Sequence, residues 1–306
     1  MENYPRTILE FEQRFAREDA CREYLFQLRW PDGFCCPRCG NKEVWMMKRG
    51  QYWCRQCNYQ ASVTAGTIFQ DSRKSLRLWF HAIWYVVSQK NGVSALGLQR
   101  VLGIGSYRTA WTWLHKLRCA MVRPGRDRLS GTVEVDETYI GGKKSGKRGR
   151  GAAGKALVLV AVEDQGNQIG RIRLRRVIDA SANSLITAIK DSVETGSLVH
   201  TDGWISYEQL PSAGYKHAVI RKETDIGDNL LPLVNRVVSL LKKWLQGTHQ
   251  GAVRSSHLDY YLDEFTFRFN RRTSSSRGKL FYRLVQQAVL IPPTTGTDMR
   301  GGRLFL

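Results

Sequence analysis

Two pairs of cysteines near the start of the chain constrain its fold more than any other feature. Cys36 and Cys39 form one CxxC turn, Cys54 and Cys57 form a second, and fourteen residues separate the pairs. Zn²⁺ prefers four ligands in a tetrahedron, and each CxxC turn presents two thiolates to one ion. Because a reducing compartment disfavours disulfides, we predict a structural zinc site rather than free or paired thiols. Cys35 could compete as a ligand, but only Cys36 has the CxxC spacing.

The residues around the cysteines predict a small N-terminal module. Segments 44–47 and 52–54 read as the strands of a hairpin and flank a polar turn at 48–51. Upstream, 6–28 has the pattern of two short helices. We therefore expect residues 1–66 to form N-terminal helices and a zinc ribbon.

The net charge indicates a polyanionic partner. Forty-seven Lys and Arg against 27 Asp and Glu leave a formal charge of +20, which favours nucleic acid binding. A hydrophobic fraction of 42% is that of a globular protein, and 306 residues suffice for about two domains. No apolar stretch is long enough to span a membrane, and the start lacks the features of a secretory signal. We expect a cytoplasmic protein.

A helical region at 67–123 follows the zinc module. Segment 75–89 has helical periodicity, and two further helices, 93–102 and one opened by Ser106, flank a glycine-containing turn. This spacing is typical of a helix-turn-helix, although an ordinary helical hairpin with a solvated, charged face explains it equally well. Four polar residues on the second helix are expected to face away from the core and contact DNA: Arg108, Thr112, His115 and Lys116.

A change of composition near Arg123 marks a second domain, which we place at 124–291. Its predicted elements are strands at 131–140, 156–163 and 169–177, a helix at 180–194 and a short strand at 197–201. Three hairpin-linked strands, a helix and a returning strand follow the order of the α/β ribonuclease H-like architecture. The tail at 292–306 is rich in Gly, Thr and Pro and is expected to be loose.

Two aspartates stand out in this domain. Asp136 interrupts an apolar strand, and Asp202 ends the short strand at 197–201. A carboxylate in a central strand is costly unless it is paired or binds a metal, and two at neighbouring strand positions suit Mg²⁺. The alternative is that Asp136 forms an ion pair with an arginine while Asp202 caps a turn.

A helix opened by Pro232 carries two further candidate residues. Asn235 and Lys242 lie within about 20° of each other around the helix axis. An amide oxygen can bind a metal, and the ammonium group of lysine can bind a phosphate. Without the two aspartates, the same pattern would indicate a solvated helix face.

Four motifs surround or follow these residues. They are VDETYIGGK at 135–143, HTDGW at 200–204, SLLK at 239–242 and YLDEFTFRFNRR at 261–272. Together with the cysteines they resemble the DDE transposases of bacterial insertion sequences, above all the family numbered fifteen ninety-five, whose members carry an N-terminal zinc ribbon. The resemblance implies that Asp136 and Asp202 are the first two catalytic acids, with Asn235 at the third position and Lys242 after it.

The third position departs from the usual Glu of these enzymes. Asn235 carries no charge, so the site should hold Mg²⁺ or Mn²⁺ less tightly, although some members of the family use Asn here. Three upstream carboxylates remain alternative third ligands: Glu223, Asp225 and Asp228.

Basic residues are concentrated in two segments of the second domain. The glycine-rich loop between the first two strands has four cations that we expect to bind DNA: Lys143, Lys144, Lys147 and Arg148. The loop is close to a phosphate-binding P-loop, but Arg148 stands where Ser or Thr is needed and a strand follows, so nucleotide binding is rejected. Three arginines on the C-terminal helix are expected to line a DNA path or a solvated face: Arg268, Arg271 and Arg272.

By resemblance, the chain is a transposase that binds terminal inverted repeats, cleaves the ends of the element and transfers the strands to target DNA. The same resemblance implies a homodimer or higher assembly on double-stranded DNA in the bacterial nucleoid. One alternative is a non-catalytic DNA-binding regulator, for which Asn235 would mark lost catalysis. Another is a structure-selective nuclease of the same fold.

Overall fold

The structure is a computed structural model that describes residues 3–47, 50–123, 125–141, 155–166, 168–221, 230–251 and 253–301. Up to residue 123 the elements are α1 (Ile8–Arg14), α2 (Glu18–Arg29), β1 (Val44–Met46), β2 (Tyr52–Cys54), β3 (Gln60–Ala61), α3 (Leu76–Ser88), α4 (Ala95–Leu102) and α5 (Tyr107–Ala120). Beyond it they are β4 (Thr132–Ile140), β5 (Ala156–Asp164), β6 (Ile169–Val177), α6 (Ala182–Ser192), β7 (Leu198–Thr201), β8 (Lys216–Val219), α7 (Pro232–His249), α8 (Leu258–Phe269), α9 (Arg277–Ala288) and α10 (Gly296–Gly301).

These elements form two compact units. The first combines Met1–Arg123 with Ser274–Gly301, and the second comprises Pro124–Thr273. The second unit ends at Thr273 rather than at the predicted residue 291, so α9 belongs to the first unit. The physical reason is Phe281 of α9, which is completely buried against Phe11, Phe15 and Phe80.

The C-terminal tail also differs from the expectation of a loose segment. Part of it forms α10, and the side chain of Met299 in this helix is completely buried. Thr295 opens the helix by accepting a hydrogen bond from the Asp298 amide, while the Asp298 carboxylate accepts one from the amide of Thr295. Reciprocal capping and one buried apolar side chain thus order a segment whose composition indicates a coil.

The first unit packs helices beside a three-stranded antiparallel sheet of order β1-β2-β3. Hydroxyl groups define where several helices begin. The side chains of Thr7, Ser75 and Ser94 accept hydrogen bonds from backbone amides three residues further on, as N-caps do. The residue Gly103, with φ 60°, ends α4 and allows the chain to turn into α5.

The second unit is a five-stranded mixed sheet of order β6-β5-β4-β7-β8. β4, β5 and β6 are antiparallel, whereas β7 lies parallel to β4 and β8 parallel to β7. This confirms the predicted ribonuclease H-like order and adds β8, which the sequence analysis did not foresee.

The central strand β4 separates two hydrophobic cores. Val133 and Val135 pack with residues of α6 on one face of the sheet. On the other face Ile140 belongs to a core built with α7 and α8. Residues between the two valines, and just after them, therefore point towards α7.

Across the described part of the chain, no helix combines the length and the hydrophobicity that crossing a membrane requires.

Candidate active site

The four cysteines of the CxxC turns converge on one point. The sulfur atoms of Cys36, Cys39, Cys54 and Cys57 all lie within 4.8 Å of one another. Sulfur–sulfur distances are 3.6 Å between Cys36 and Cys57 and 3.5 Å between Cys39 and Cys54. Four thiols at these separations match the tetrahedral ligand set of structural zinc. Cys35 lies outside the cluster, exposed, with its thiol directed at the carbonyl of Gly40.

The two cysteine turns have the same backbone geometry. Cys36 and Cys54 each donate their amide to the carbonyl five residues later and accept from the amide four residues later, at 2.9–3.0 Å. Gly40 and Asn58 follow the second cysteine of each turn with φ of 75° and 58°, a conformation that Gly and Asn tolerate. The repeated turn explains why two CxxC spacings suffice to predict the site.

The thiol of Cys54 is prepared to ionise. Burial raises its pKa, but amides of Cys57 and Gln56 and the thiols of Cys39 and Cys57 outweigh burial and lower the pKa to about 6. The backbone amide of Asn41 lowers the pKa of Cys39, but burial and hydrogen bonds with the other three thiols outweigh it and raise the pKa to about 12. Cys54 is therefore the thiol of this pair that ionises first, and a thiolate is the form that binds metal.

The two candidate carboxylates of the second unit lie on neighbouring strands. Parallel pairing of β4 and β7 sets Glu134 opposite His200. Continued by two residues, this register sets Asp136 opposite Asp202 on strands that are about 4.8 Å apart. Because side chains alternate, Asp136 shares a face with Glu134 and Asp202 shares one with His200. Both aspartates therefore point to the side of the sheet that α7 covers.

A tight turn fixes the direction of Asp202. Its Oδ1 accepts a 3.0 Å hydrogen bond from the amide of Trp204. Between them, Gly203 has φ 82°, and a Cβ there would lie 2.6 Å from a methyl group of Val219 in β8. Glycine is thus required by conformation and by space, which accounts for the Asp-Gly pair of the HTDGW motif.

The third candidate reaches the same face through α7. Oε2 of Glu134 accepts hydrogen bonds of 2.9 Å from the amides of both Leu233 and Val234. Asn235 follows directly and is exposed at the start of the helix. Burial raises the pKa of Glu134, while the two amide hydrogen bonds act in the opposite direction.

Electrostatic effects connect these residues. Burial, then Glu137, raises the pKa of Tyr207 well above its ordinary value, and Asp136 and Asp202 both add to the rise. Burial and Lys155 lower the pKa of Lys242, whereas Asp136 raises it. Asp136 thus affects the pKa of Tyr207, which follows Asp202 in the chain, and the pKa of Lys242 on α7.

The structure places Asp136, Asp202, Asn235 and Lys242 on elements that meet at one face of the sheet. The upstream carboxylates that were alternative third ligands, Glu223, Asp225 and Asp228, lie outside the described residues, as do four loop cations: Lys143, Lys144, Lys147 and Arg148.

Arginines of the C-terminal motif have partners within the fold. Arg268 forms a 2.8 Å ion pair with the buried Glu264, so its guanidinium has a partner within the fold, and its contact with DNA stays a prediction. Arg271 stacks on the ring of Phe267 at 4.2 Å, and Arg272 stacks on Phe269 at 4.3 Å.

The same motif covers an edge of the sheet. The side-chain amide of Asn270 accepts from the backbone amide of Ile172 at 2.8 Å and donates to its carbonyl at 3.1 Å. Arg272 donates to the carbonyls of Ile169 and Gly170. β6 is an edge strand, and these bonds occupy backbone groups that would otherwise be open to another strand.

The polar face expected on α5 is largely buried. His115 is completely buried and stacks on Trp111, so the prediction that it faces DNA is wrong. Lys116 donates to the carbonyl of Ile68 at 3.0 Å, and Thr112 is half-buried. The reason is that α5 contacts α4, α9 and α10, so more than one side of the helix is covered. Arg108 is exposed, as predicted.

Two residues near the site were missed by the sequence analysis, Glu134 and Tyr207. Glu134 alternates with apolar residues along β4, which is a signal of an inward-facing carboxylate. No comparable signal marks Tyr207, since its contact with Glu137 joins residues distant in the chain.

Comparisons with known proteins agree with this architecture. Residues 128–270 match the ISXO2-like transposase domain, and residues 16–60 match the transposase zinc-ribbon domain; both are IS1595 models. An uncharacterized protein of the transposable element ISH50 from Halobacterium salinarum is 26% identical over 278 residues, which are 83% of this chain and 91% of that protein.

Two solved structures are similar at low identity. The catalytic core of BIV integrase is 15% identical, with a TM-score of 0.34, and the match covers 49% of this chain and 89% of that one. A chain of the simian T-cell lymphotropic virus intasome, in complex with PP2A regulatory subunit B56 gamma, is 13% identical, with a TM-score of 0.34 and coverage of 60% and 70%. The two IS1595 domain models together match more than half of the chain, which belongs to the IS1595 family of transposases.

Proposed function

We propose that this transposase binds the terminal inverted repeats of its element and uses divalent metal ions to cleave the ends and join them to target DNA. The observation that supports the proposal is the parallel pairing of β4 and β7, in which Glu134 lies opposite His200. Continued by two residues, this register would bring Asp136 and Asp202 together on the face covered by α7.

The metal ligands are Asp136, Asp202 and Asn235, and the ion is Mg²⁺ or Mn²⁺. Oxygen donors on neighbouring strands are the chemistry that these hard cations select. When bound, the ions activate the attacking hydroxyl and stabilise the leaving oxygen of a phosphodiester. Asn235 adds an oxygen without a charge, so the site depends on two carboxylates for its negative charge.

Lys242 binds a phosphate of the DNA beside the metal ligands. Two helical turns separate it from Asn235, which puts both on one side of α7. Partial burial and Lys155 disfavour its charged form, and an incoming phosphate would relieve that cost. The side chain thus holds the substrate in line for displacement.

DNA binding involves the first unit as well. On the outer face of the zinc ribbon, Trp45 is 57% exposed, pairs across the strands with Trp53, and carries the guanidinium of Arg55 at 4.8 Å from its ring. Aromatic and cationic groups exposed together are typical of nucleic acid surfaces. Arg108 at the start of α5 and the basic residues of 143–148 supply further phosphate contacts. The protein acts as a dimer or higher assembly on two element ends in the nucleoid.

Incubation of the protein with DNA that contains the element ends and with Mg²⁺ or Mn²⁺ tests the proposal. We expect nicking at the ends and joining to a second duplex, and we expect Asp136→Ala and Asp202→Ala to abolish both while DNA binding persists. Asp191→Ala is the control. Asp191 lies on α6 of the same unit and forms an ion pair with Arg175 of β6. Cleavage by either site variant at the wild-type rate would contradict the proposal. A wild type that binds the ends without cutting them would favour the regulator.

A further inference from the structure

Glu134 makes a contact that the proposed chemistry does not explain. The side chain is 6% exposed, and a single carboxylate oxygen accepts the amides of both Leu233 and Val234. A buried charged group is costly, and two charge-assisted hydrogen bonds offset part of that cost.

The start of α7 needs this carboxylate. The first amides of a helix have no partner inside it, and Leu231, which precedes the helix, has no side-chain oxygen to offer. Pro232 at the first position has no N–H, so the first available donors are those of Leu233 and Val234. Both are bound by a residue that lies about a hundred positions earlier in the chain.

The contact lies between two proposed metal ligands. Glu134 and Asp136 are two residues apart on one face of β4, and Val234 immediately precedes Asn235 on α7. One hydrogen-bonded carboxylate therefore connects the strand of the first ligand to the helix of the third. A shift of α7 along β4 would have to break both bonds.

We propose that Glu134 is a positioning residue that fixes Asn235 relative to Asp136 and thereby sets the affinity of the site for its divalent metal. This inference rests on the proposed function, because it takes Asp136 and Asn235 as ligands. Removal of a group that hydrogen-bonds a metal ligand directly typically changes metal affinity by about 10- to 100-fold. Glu134 acts one step further away, through the backbone that carries Asn235, so we expect the lower end of that range.

A purely structural cap would also stabilise the fold, so the test needs a matched control. Glu163 on β5 is 5% exposed and accepts backbone amides of Ser130 and Arg171, each at 3.1 Å. It matches Glu134 in burial and in the number of backbone donors, and its partners are not on α7. It also forms an ion pair with the side chain of Arg171, so its removal should cost at least as much stability as removal of Glu134 and makes the control more stringent.

The experiment measures Mn²⁺ binding to the zinc-loaded full-length protein by electron paramagnetic resonance, alongside thermal unfolding. We expect Glu134→Ala to weaken Mn²⁺ binding by about tenfold. Glu134→Gln keeps an oxygen acceptor and should lose less, and it serves in place of the alanine variant if that variant does not fold. Glu163→Ala should lower the unfolding temperature but keep wild-type affinity for Mn²⁺.

Wild-type Mn²⁺ affinity in folded Glu134→Ala or Glu134→Gln would overturn the positioning role. Equal weakening in Glu163→Ala would also overturn it, because the effect would then follow stability alone. A wild type that binds Mn²⁺ yet cuts no end DNA contradicts the proposed function, while the comparison of variants still decides the role of Glu134.

Discussion

The hydroxyl of Tyr207 donates a 2.7 Å hydrogen bond to Oε2 of Glu137, the residue that follows Asp136 in β4. Tyr207 itself ends the 3₁₀ turn Ile205–Tyr207, which comes shortly after Asp202. The bond connects the strand of the first aspartate to the turn of the second, on the face of the sheet away from α7. The residues on either side of Asp136 in β4 thus bond to different elements, Glu134 to the start of α7 and Glu137 to Tyr207.

Removal of this hydroxyl should impair the site more than it impairs the fold. We expect Tyr207→Phe to reduce DNA cleavage severalfold and to cost about 1 kcal/mol of stability, the usual net contribution of one hydrogen bond. Tyr215→Phe is the control, because Tyr215 is buried in the same core and donates to the carbonyl of Val193. Equal loss of cleavage in both variants, at equal loss of unfolding temperature, would contradict a specific role.

The pH dependence of stability follows from the same residue. Because the pKa of Tyr207 is raised in the folded state, its contribution is complete below the ordinary pKa of tyrosine, about 10, and is lost as the pH rises above it. Denaturant titrations from pH 8 to 11 should show wild type losing stability more steeply than Tyr207→Phe. Parallel curves would count against the buried neutral phenol.

The sequence predicts those parts of the protein that depend on local spacing. The CxxC pairs define the zinc site because each turn needs only five or six consecutive residues. The order of the first strands along the chain could also be predicted, since β4, β5 and β6 are long and carry clear apolar patterns. β8 escaped notice because Lys216–Val219 is short and contains two polar residues.

Features that depend on contacts between distant segments could not be predicted in this way. Phe281 is one of several aromatic residues in its region, and only the folded unit shows that it fills a core with Phe11. His115 lies on a helix face that looks polar in sequence, yet further helices cover that face. The cap that Glu134 forms on α7 is also a contact between distant segments, since it links residues about a hundred positions apart.

Zinc should hold the ribbon together. We expect Cys54→Ser to abolish stoichiometric zinc, measured by atomic absorption, and to unfold the ribbon, because four thiolates supply most of the order of so small a module. Cys35→Ser should retain zinc, since that thiol lies outside the cluster. Loss of zinc in the Cys35 variant would show that the ligand set is wrong.

A negative charge at the third ligand position should tighten metal binding. We expect Asn235→Asp to lower the Mn²⁺ concentration for half-maximal cleavage by about tenfold, because ligand charge sets the affinity of oxygen sites. Lys243→Gln makes the same change in net charge at an exposed position about 80° around α7 from Asn235 and should leave the midpoint unchanged. The same shift in both variants would indicate a general field effect rather than coordination.

Lys242 should affect turnover rather than metal binding. We expect Lys242→Ala to reduce the cleavage rate at saturating Mn²⁺ by tenfold or more, as removal of one transition-state donor does, with the metal midpoint unchanged. Lys243→Ala is the control for net charge, since Lys243 is the next exposed cation on α7.

The titration of Lys242 should limit the reaction at alkaline pH. Its pKa in the DNA-free protein is below the ordinary value for lysine, so the cleavage rate at DNA concentrations well below saturation should decline at a lower pH than an ordinary lysine would give. In Lys242→Arg the decline should move to higher pH, because guanidinium stays charged. Identical pH profiles of wild type and Lys242→Arg would show that another group controls the decline at alkaline pH.

Two residues of α5 that are seven positions apart, Arg108 and His115, should behave in opposite ways. Arg108 is exposed, whereas His115 is completely buried and stacks on Trp111. We expect Arg108→Ala to weaken binding to end DNA and to reduce the salt dependence of log K by about one unit, with an unchanged unfolding temperature. His115→Ala should instead lower the unfolding temperature by several degrees through the cavity that it leaves. Fluorescence anisotropy against salt and thermal unfolding of both variants separate the effects. Weaker DNA binding in a fully stable His115→Ala would mean that the buried side of α5 contacts DNA after all.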